Sequence, residues 1–157
     1  MNDISLYESG NGGDLVLVND DFQLVSGLFN NVYLCLFGGN IQGSTTDAVL
    51  VGEERKDWWG NKLLNSTNTD VQFNSTFENL LNTTALTSAG VSVLENAAKK
   101  DLQPLQEIGA IDVNILLTGA DSLEMQIKIT EKETNISQEF LLIWNETRDE
   151  ITLNKVI

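Results

Sequence analysis

The sequence predicts an α+β fold in a single domain, 1–157. A turn-prone polar trio between two β-branched runs near the N-terminus predicts a β-hairpin, and apolar residues at spacings of three and four in the middle of the chain predict two or three helices. Strict alternation of apolar and polar residues near the C-terminus predicts an antiparallel meander of three to four strands. We expect the apolar face of this meander to pack on the helices.

The N-terminal hairpin is predicted by "GDLVLV" and "FQLVSG", which flank Asn19-Asp20-Asp21. The next stretch, "SGLFNNVYLCLFGGN", has apolar residues around most of a helical circumference, which is typical of a buried helix. Ser26 is a candidate N-cap, and Gly38-Gly39 is a candidate end. A strand remains an alternative, since short apolar runs suit both. The only cysteine, Cys35, lies in this stretch, where we expect a buried and inert thiol.

Residues 39–73 are the least regular part of the chain. They contain "GGNIQGSTTD" and "NSTNTD", which are rich in turn-forming residues. A connection of this length inside a compact domain usually has a function or docks on another surface. A short helix is expected after it, because Ser75 and Glu78 match a capping box.

The longest predicted helix begins near Ser88. Its expected inner residues are spaced by three and four: Val91, Leu94, Ala98, Leu102 and Leu105. Its expected outer residues are charged: Glu95, Lys99, Lys100 and Asp101. Pro104 is expected at the last turn, and Gly109 closes the region.

The meander follows in four segments. "IDVNILL" places Ile111, Val113, Ile115 and Leu117 on one face, and "SLEMQIKIT" alternates from Leu123 to Ile129. "QEFLLIW" is almost entirely apolar, which suits a central or covered strand. "EITLNKVI" is expected to form a final edge strand.

The charge of the chain excludes some classes of partner. The net charge is −14 and the pI about 4.1, with only nine Lys and Arg among 23 Asp and Glu. Binding to phosphate backbones needs clustered cations, so nucleic acid and anionic membranes are not expected as partners. The N-terminus has no signal-peptide pattern, and no apolar run has the length of a membrane span, which points to the cytosol.

The chain contains no histidine, which removes the commonest general base and imidazole metal ligands. No phosphate-binding glycine motif is present, and the single cysteine cannot form a cysteine zinc site. We therefore expect no enzyme activity, no catalytic residues, no metal and no cofactor.

Trp58 and Trp59 stand together in "ERKDWWGNKLL", and Gly60 follows them. Adjacent residues of an extended segment face opposite sides. We expect one tryptophan to anchor the loop and its neighbour to contact a partner subunit, with Gly60 permitting the turn after them. The alternative is that a tryptophan simply folds over the core.

The order of these features resembles the small wedge proteins of contractile-tail baseplates, namely the Mu-like phage baseplate family and the related sheath-initiator family. The resemblance is carried, in order, by "GDLVLVNDDFQLVSGL", "LFNNVYLCLFGGN", "DWWGNKLL", "LENAAKKDLQPLQEIGAIDVNILL" and "LEMQIKITE". It covers most of residues 13–130. The sheath-initiator branch typically has Glu-Pro-Arg where this chain has Gln103-Pro104-Leu105, so only Pro104 matches, which favours the Mu-like branch or a divergent relative.

The resemblance implies a structural protein of the virion tail baseplate, made in the host cytoplasm. Its implied partners are the other baseplate wedge subunits, and the tail sheath and tube proteins are further candidate partners. In the sheath-initiator branch the implied role also includes initiation of sheath assembly. The partner-interface candidates are Trp58, Trp59, Gly60 and Pro104. Two other classes remain open from the residues alone: an acidic protein-binding module, and a glycan hydrolase that uses paired carboxylates.

Overall fold

The computed structural model describes residues 2–8, 13–38, 61, 63, 73, 75–148 and 150–156. Within these residues the fold is α+β, as the sequence predicts. Short strand pairs at the N-terminus precede three helices, and a four-stranded antiparallel sheet packs against the helices.

Short strands make up the N-terminal region: β1 (Asn2–Ile4), β2 (Leu6–Glu8), β3 (Gly13–Leu15), β4 (Leu17–Val18), β5 (Asp21–Phe22) and β6 (Leu24–Ser26). They pair antiparallel as β1 with β6, β2 with β3, and β4 with β5. The predicted hairpin is thus present at β4–β5. Its turn consists of Asn19 and Asp20, with φ of 53° and 64°, while Asp21 belongs to β5. Two consecutive positive φ angles in a two-residue loop are typical of a type I′ turn.

The helices are α1 (Phe29–Phe37), α2 (Phe77–Thr83) and α3 (Ser88–Asp101), and a 3-10 helix (Gln103–Glu107) follows α3. The stretch around Cys35 is therefore a helix, and Cys35 is fully buried in it. Burial also raises the pKa of the Cys35 thiol far above its ordinary value. Leu28, and not Ser26, is the N-cap of α1, because Ser26 is the last residue of β6.

The position of the Asp101 side chain differs from the sequence prediction. It was expected on the outer face of α3, but it is only 4% exposed. Its carboxylate accepts hydrogen bonds from the backbone N–H groups of Thr76 (2.7 Å) and Phe77 (2.6 Å) at the start of α2. The C-terminal end of α3 therefore caps the N-terminal end of α2, where unpaired N–H groups favour a negative charge.

Thr76, and not Ser75, is the N-cap of α2, so the predicted capping box of Ser75 and Glu78 lies one residue ahead of the helix start. The Glu78 N–H donates to the Ser75 hydroxyl oxygen at 3.3 Å, and that hydroxyl itself donates to the Leu36 carbonyl in α1. The start of α2 is thus tied to α1 through Ser75 and to α3 through Asp101.

The C-terminal sheet consists of β7 (Gly109–Leu117), β8 (Ser122–Glu131), β9 (Ser137–Asn145) and β10 (Glu150–Lys155), in the order β10-β9-β8-β7. All neighbours are antiparallel, and the register joins Val113 to Ile127 and Ile127 to Phe140. The alternation of β8 places Leu123, Met125, Ile127 and Ile129 in the core, as predicted. Leu117, expected on the same face as Ile115, is exposed because it lies at the end of β7.

One face of the sheet and the helices enclose the core. The buried side chains come from α1, α2 and α3 and from alternate positions of β7 to β10; the largest are Trp144, Phe77 and Phe140. The other face of β9 carries Ile143, which is exposed, so this strand is covered on one side only. None of the helices among the described residues combines the length and the apolarity needed to cross a lipid bilayer.

Gly27 joins the N-terminal strands to this core. Its φ is +88°, and a Cβ in its place would collide with the Gln138 side chain. The Gln138 amide oxygen accepts a hydrogen bond from the Leu28 N–H at 3.2 Å. The link between β6 and α1 is therefore held against β9 at a point where only glycine fits.

Candidate protein interface

The tryptophan motif was the main candidate for an interface. Trp58, Trp59 and Gly60 lie outside the described residues. Asn61, the next residue, is 1% exposed. Its side-chain amide donates to the Phe73 carbonyl at 2.8 Å, and its amide oxygen accepts from the Phe73 N–H at 2.9 Å. The chain is thus attached to the domain immediately after the motif.

Leu63, two residues farther along, is 71% exposed. The sequence pattern did not indicate a role for Asn61 or Leu63, because they lie in an irregular segment that has no helical or strand periodicity. The combination of a buried anchor and an exposed leucine suits a segment that holds apolar side chains out toward a partner.

Pro104, the fourth candidate, lies beyond the long helix and not within its last turn. Helix α3 ends at Asp101, and Pro104 occupies the first turn of the 3-10 helix, where a missing N–H costs nothing. It is half-buried between Leu102 and Leu105, both of which belong to the core. This position gives Pro104 a role in redirecting the chain from α3 toward β7.

The N-terminal strands meet in a three-way junction, which the sequence did not suggest. Ser5, Val16 and Gln23 each separate two strands, and their backbones form a closed ring of hydrogen bonds. The Ser5 N–H donates to the Gln23 carbonyl (2.7 Å), the Gln23 N–H to the Val16 carbonyl (2.9 Å), and the Val16 N–H to the Ser5 carbonyl (3.1 Å). Three strand pairs radiate from this ring, which we call the N-terminal junction.

Apolar pairs surround the ring. The residues on either side of Ser5, Val16 and Gln23 form the cross-strand pairs Leu6–Leu15, Leu17–Phe22 and Ile4–Leu24. Side chains alternate along extended backbone, so these six point to the face opposite the three ring residues. Leu6 also packs against the core, so this apolar face meets the domain at Leu6.

The rest of this apolar face is uncovered. Leu15, Leu17, Phe22 and Leu24 are 41%, 63%, 47% and 61% exposed. Single exposed apolar residues are normal, but neighbouring ones form a patch that typically marks an interaction surface. Full burial of a large apolar side chain is worth roughly 1.5–3 kcal/mol, so covering four that are about half exposed would contribute roughly 3–6 kcal/mol. We call these four residues the junction patch.

Exposed carboxylates lie in the strands and the turn that carry the junction patch. Asp20 and Asp21 lie at the turn of the β4–β5 hairpin and Asp3 lies in β1, and all three are exposed. The Asp21 carboxylate accepts a hydrogen bond from the Phe22 N–H at 2.8 Å, and that of Asp3 accepts from the Ile4 N–H at 2.8 Å. Asp20 at the hairpin turn borders the patch, whereas Asp3 and Asp21 lie in the strands that carry it, on the opposite face. We call these three carboxylates the acidic rim of the patch.

The solvent-facing side of the C-terminal sheet forms a shallow groove of about 380 Å³. An ion pair between Lys128 and Glu139 (3.5 Å) crosses β8 and β9 there, and Leu141 and Val156 provide apolar contacts. Exposed ion pairs contribute little to stability. Charged, polar and apolar side chains line the groove together, and no single type of ligand-binding group predominates in it.

Two carboxylates, Asp112 and Glu139, line the groove of the C-terminal sheet, and Glu139 is paired there with Lys128. A third carboxylate, that of Asp101, lies in the interior. Burial raises the pKa of Asp101 to about 6, against hydrogen bonds from Phe77 and Thr76 that lower it. That carboxylate is enclosed between α2 and α3, where it caps a helix. In the part of the chain that the structure describes, no three His, Cys, Asp or Glu side chains come together as a metal site would require. Comparison with family models, with curated proteins and with solved structures gave no match.

Proposed function

We propose that this protein is a structural subunit of the baseplate of a contractile phage tail or a related injection particle, where it joins wedge subunits near the tube. The observation that carries the proposal is the junction patch. Leu15, Leu17, Phe22 and Leu24 are held outward on a hydrogen-bonded scaffold, which is costly in water unless another chain covers them.

The order of elements also supports this proposal. The families that the sequence resembles have a leading hairpin, an apolar helix, a long helix that ends near a proline, and a small sheet. Here β4–β5 is followed by the buried α1, then by α3 and Pro104, and then by β7 to β10. A chain that acts by assembly alone needs no enzyme activity and no cofactor, and its partners are proteins and neither nucleic acid nor membrane.

Sheath initiation is the finer part of the proposal. It would occur by addition of a strand to an open edge of a sheet. The C-terminal sheet has β7 and β10 at its edges. In β7 the Ile115 N–H already donates to the Glu95 carboxylate. A strand added at β7 would therefore have to displace Glu95.

The test is mass spectrometry of purified particles from the source organism. We expect this chain in a fixed stoichiometric ratio to the tube and sheath proteins. Its absence from intact particles that contain both of those proteins would refute the baseplate assignment.

A second candidate is an acidic binding module that neutralises a basic protein outside any particle. The acidic rim of the junction patch, with Asp3, Asp20 and Asp21, favours this class specifically. The same mass spectrometry separates the two, since a free binding module is not a stoichiometric particle component.

A further inference from the structure

We propose that the junction patch docks into a basic partner subunit, in an apolar depression bordered by Lys or Arg side chains. The inference rests on the proposed function, because it takes that partner from the same particle. The inference specifies the chemistry of the partner surface, and it excludes a second copy of this chain as the occupant of the junction patch.

The distribution of charge carries the argument. The first 54 residues contain no Lys or Arg, and their acidic residues are Asp3, Glu8, Asp14, Asp20, Asp21, Asp47, Glu53 and Glu54. Of these, Asp3, Asp20 and Asp21 are exposed in the described structure beside the patch. A partner surface with cations at its rim would meet these carboxylates as its apolar centre covers Leu17 and Phe22.

One cation lies near the inner end of the N-terminal strands. Lys155 of β10 brings an ammonium group close to Gly27, which follows β6. Gly27 is at the opposite end of the β5–β6 segment from the Asn19-Asp20 turn. The outer part of the patch, formed by Leu17 and Phe22 next to that turn, therefore remains bordered by carboxylates.

A second copy of this chain is a poor occupant for the same reason. Two junction patches placed face to face would bring the carboxylates of Asp20 and Asp21 near their own counterparts. The chain as a whole has a net charge of −14, which adds to the repulsion between copies. The patch is thus complementary to a basic surface and not to itself.

The first experiment neutralises the rim and leaves the apolar residues unchanged. Asp20→Asn with Asp21→Asn keeps a residue type that accepts positive φ at Asp20. The control is Glu107→Gln with Glu133→Gln, which neutralises two exposed acids elsewhere on the described surface. Each variant is co-expressed with the wild-type chain, and the ratio of the two in purified particles is measured by mass spectrometry.

We expect the rim variant to be incorporated about 3- to 10-fold less than wild type, as loss of complementary charge at an interface predicts. The control variant should be incorporated equally with wild type. Equal incorporation of all three chains would overturn the inference while leaving the baseplate role in place. Absence of even the wild-type chain from particles would instead refute the proposed function.

The second experiment identifies the surface that meets the patch. Leu17 is replaced by the photo-crosslinking residue p-benzoylphenylalanine, purified particles are irradiated, and the crosslinked peptides are sequenced. We expect a crosslink to a different chain, within an apolar segment flanked by Lys or Arg. Crosslinks to a second copy, to a segment without nearby cations, or to no chain at all would overturn the inference.

Sedimentation of the purified wild-type chain gives an independent check. We expect a monomer at low ionic strength, where repulsion between the acidic rims is strongest. A stable dimer under those conditions that Leu17→Lys abolishes would show that a second copy occupies the patch. The control Val93→Lys changes an exposed apolar residue of α3 and should leave sedimentation unaltered.

Discussion

The carboxylate of Glu95 on α3 accepts a hydrogen bond from the backbone N–H of Ile115 on β7 at 3.0 Å. Ile115 pairs with Met125 across the β7–β8 ladder, so an N–H that reaches Glu95 is turned away from β8 and toward the open edge of the sheet. Exposed edge groups are templates for pairing with other chains. Glu95 therefore closes the β7 edge at its middle.

Replacing Glu95 tests this contact. We expect Glu95→Ala to lower the free energy of unfolding by about 1–3 kcal/mol, because it leaves the Ile115 N–H without its charged acceptor. The 3.9 Å pair between Glu95 and Lys99 adds little, since both side chains are partly exposed. Urea denaturation measures the change.

The matched control is Glu107→Ala, which removes an exposed carboxylate from the 3-10 helix. It should change stability by less than about 0.5 kcal/mol. Equal losses in both variants would show that Glu95 acts through overall charge and not through Ile115.

Asp101 predicts a specific dependence of stability on pH. Its pKa in the folded protein is about 6, raised by burial from an ordinary 3.8. Between these values the folded chain binds more protons at this site than the unfolded chain, so the contribution of Asp101 to stability is present below about pH 4 and is lost as the pH rises through 6. The difference corresponds to about 3 kcal/mol at most.

Urea denaturation of the wild type and of Asp101→Asn at several pH values from 3.5 to 7.5 checks this prediction. The wild type should lose stability relative to the variant as the pH rises. Asp112→Asn, which removes an exposed carboxylate of β7, controls for the change in net charge. Parallel profiles for the wild type and Asp101→Asn would contradict the role assigned to Asp101.

Substitutions in the junction patch should reduce incorporation into particles more than they reduce the stability of the fold. We expect Leu17→Ser with Phe22→Ser to lower the free energy of unfolding by about 1–3 kcal/mol, because about half of each side chain is already buried in the fold. Incorporation into particles should fall about tenfold or more, since two apolar anchors are lost from the interface.

The control for this pair is Val93→Ser with Ile136→Ser, two exposed apolar residues on α3 and at the β8–β9 turn. Incorporation is measured against co-expressed wild type by mass spectrometry. If the control pair reduces incorporation as much as the patch pair, the effect is not specific to the junction.

Asn61 should be a strong determinant of stability. The Asn61 side-chain amide bonds to both the N–H and the carbonyl of Phe73, so Asn61→Ala removes two part-buried hydrogen bonds. We expect a loss of about 2–4 kcal/mol in urea denaturation. Asn114→Ala, an exposed change on β7, should cost far less; a loss of comparable size there would argue against the anchoring role of Asn61.

Trp58 and Trp59 remain candidates for a shared role in folding and assembly. We expect Trp58→Ala and Trp59→Ala to differ, with one variant lowering monomer stability and the other lowering incorporation into particles. Denaturation and particle mass spectrometry are measured on both. If both variants assemble normally and are merely less stable, the interface hypothesis for this pair fails.

The sequence by itself determined the elements whose residues repeat over many positions. The spacing from Leu94 to Leu102 predicts α3, and the alternation from Leu123 to Ile129 predicts β8, because one long periodic face must be buried whatever the partner is. The turn at Asn19-Asp20 was also predictable, since few residues accept positive φ.

Only the tertiary structure decided which distant groups meet. The ring of Ser5, Val16 and Gln23 joins three short strands whose pairing has no local signal. Asp101 occupies a position on α3 that suits solvent equally well, and it is buried because the unpaired N–H groups of α2 lie beside it. The exposure of the junction patch follows in the same way. Whether an apolar residue is core or interface depends on what the fold places over it, and the fold leaves Leu17 and Phe22 largely uncovered.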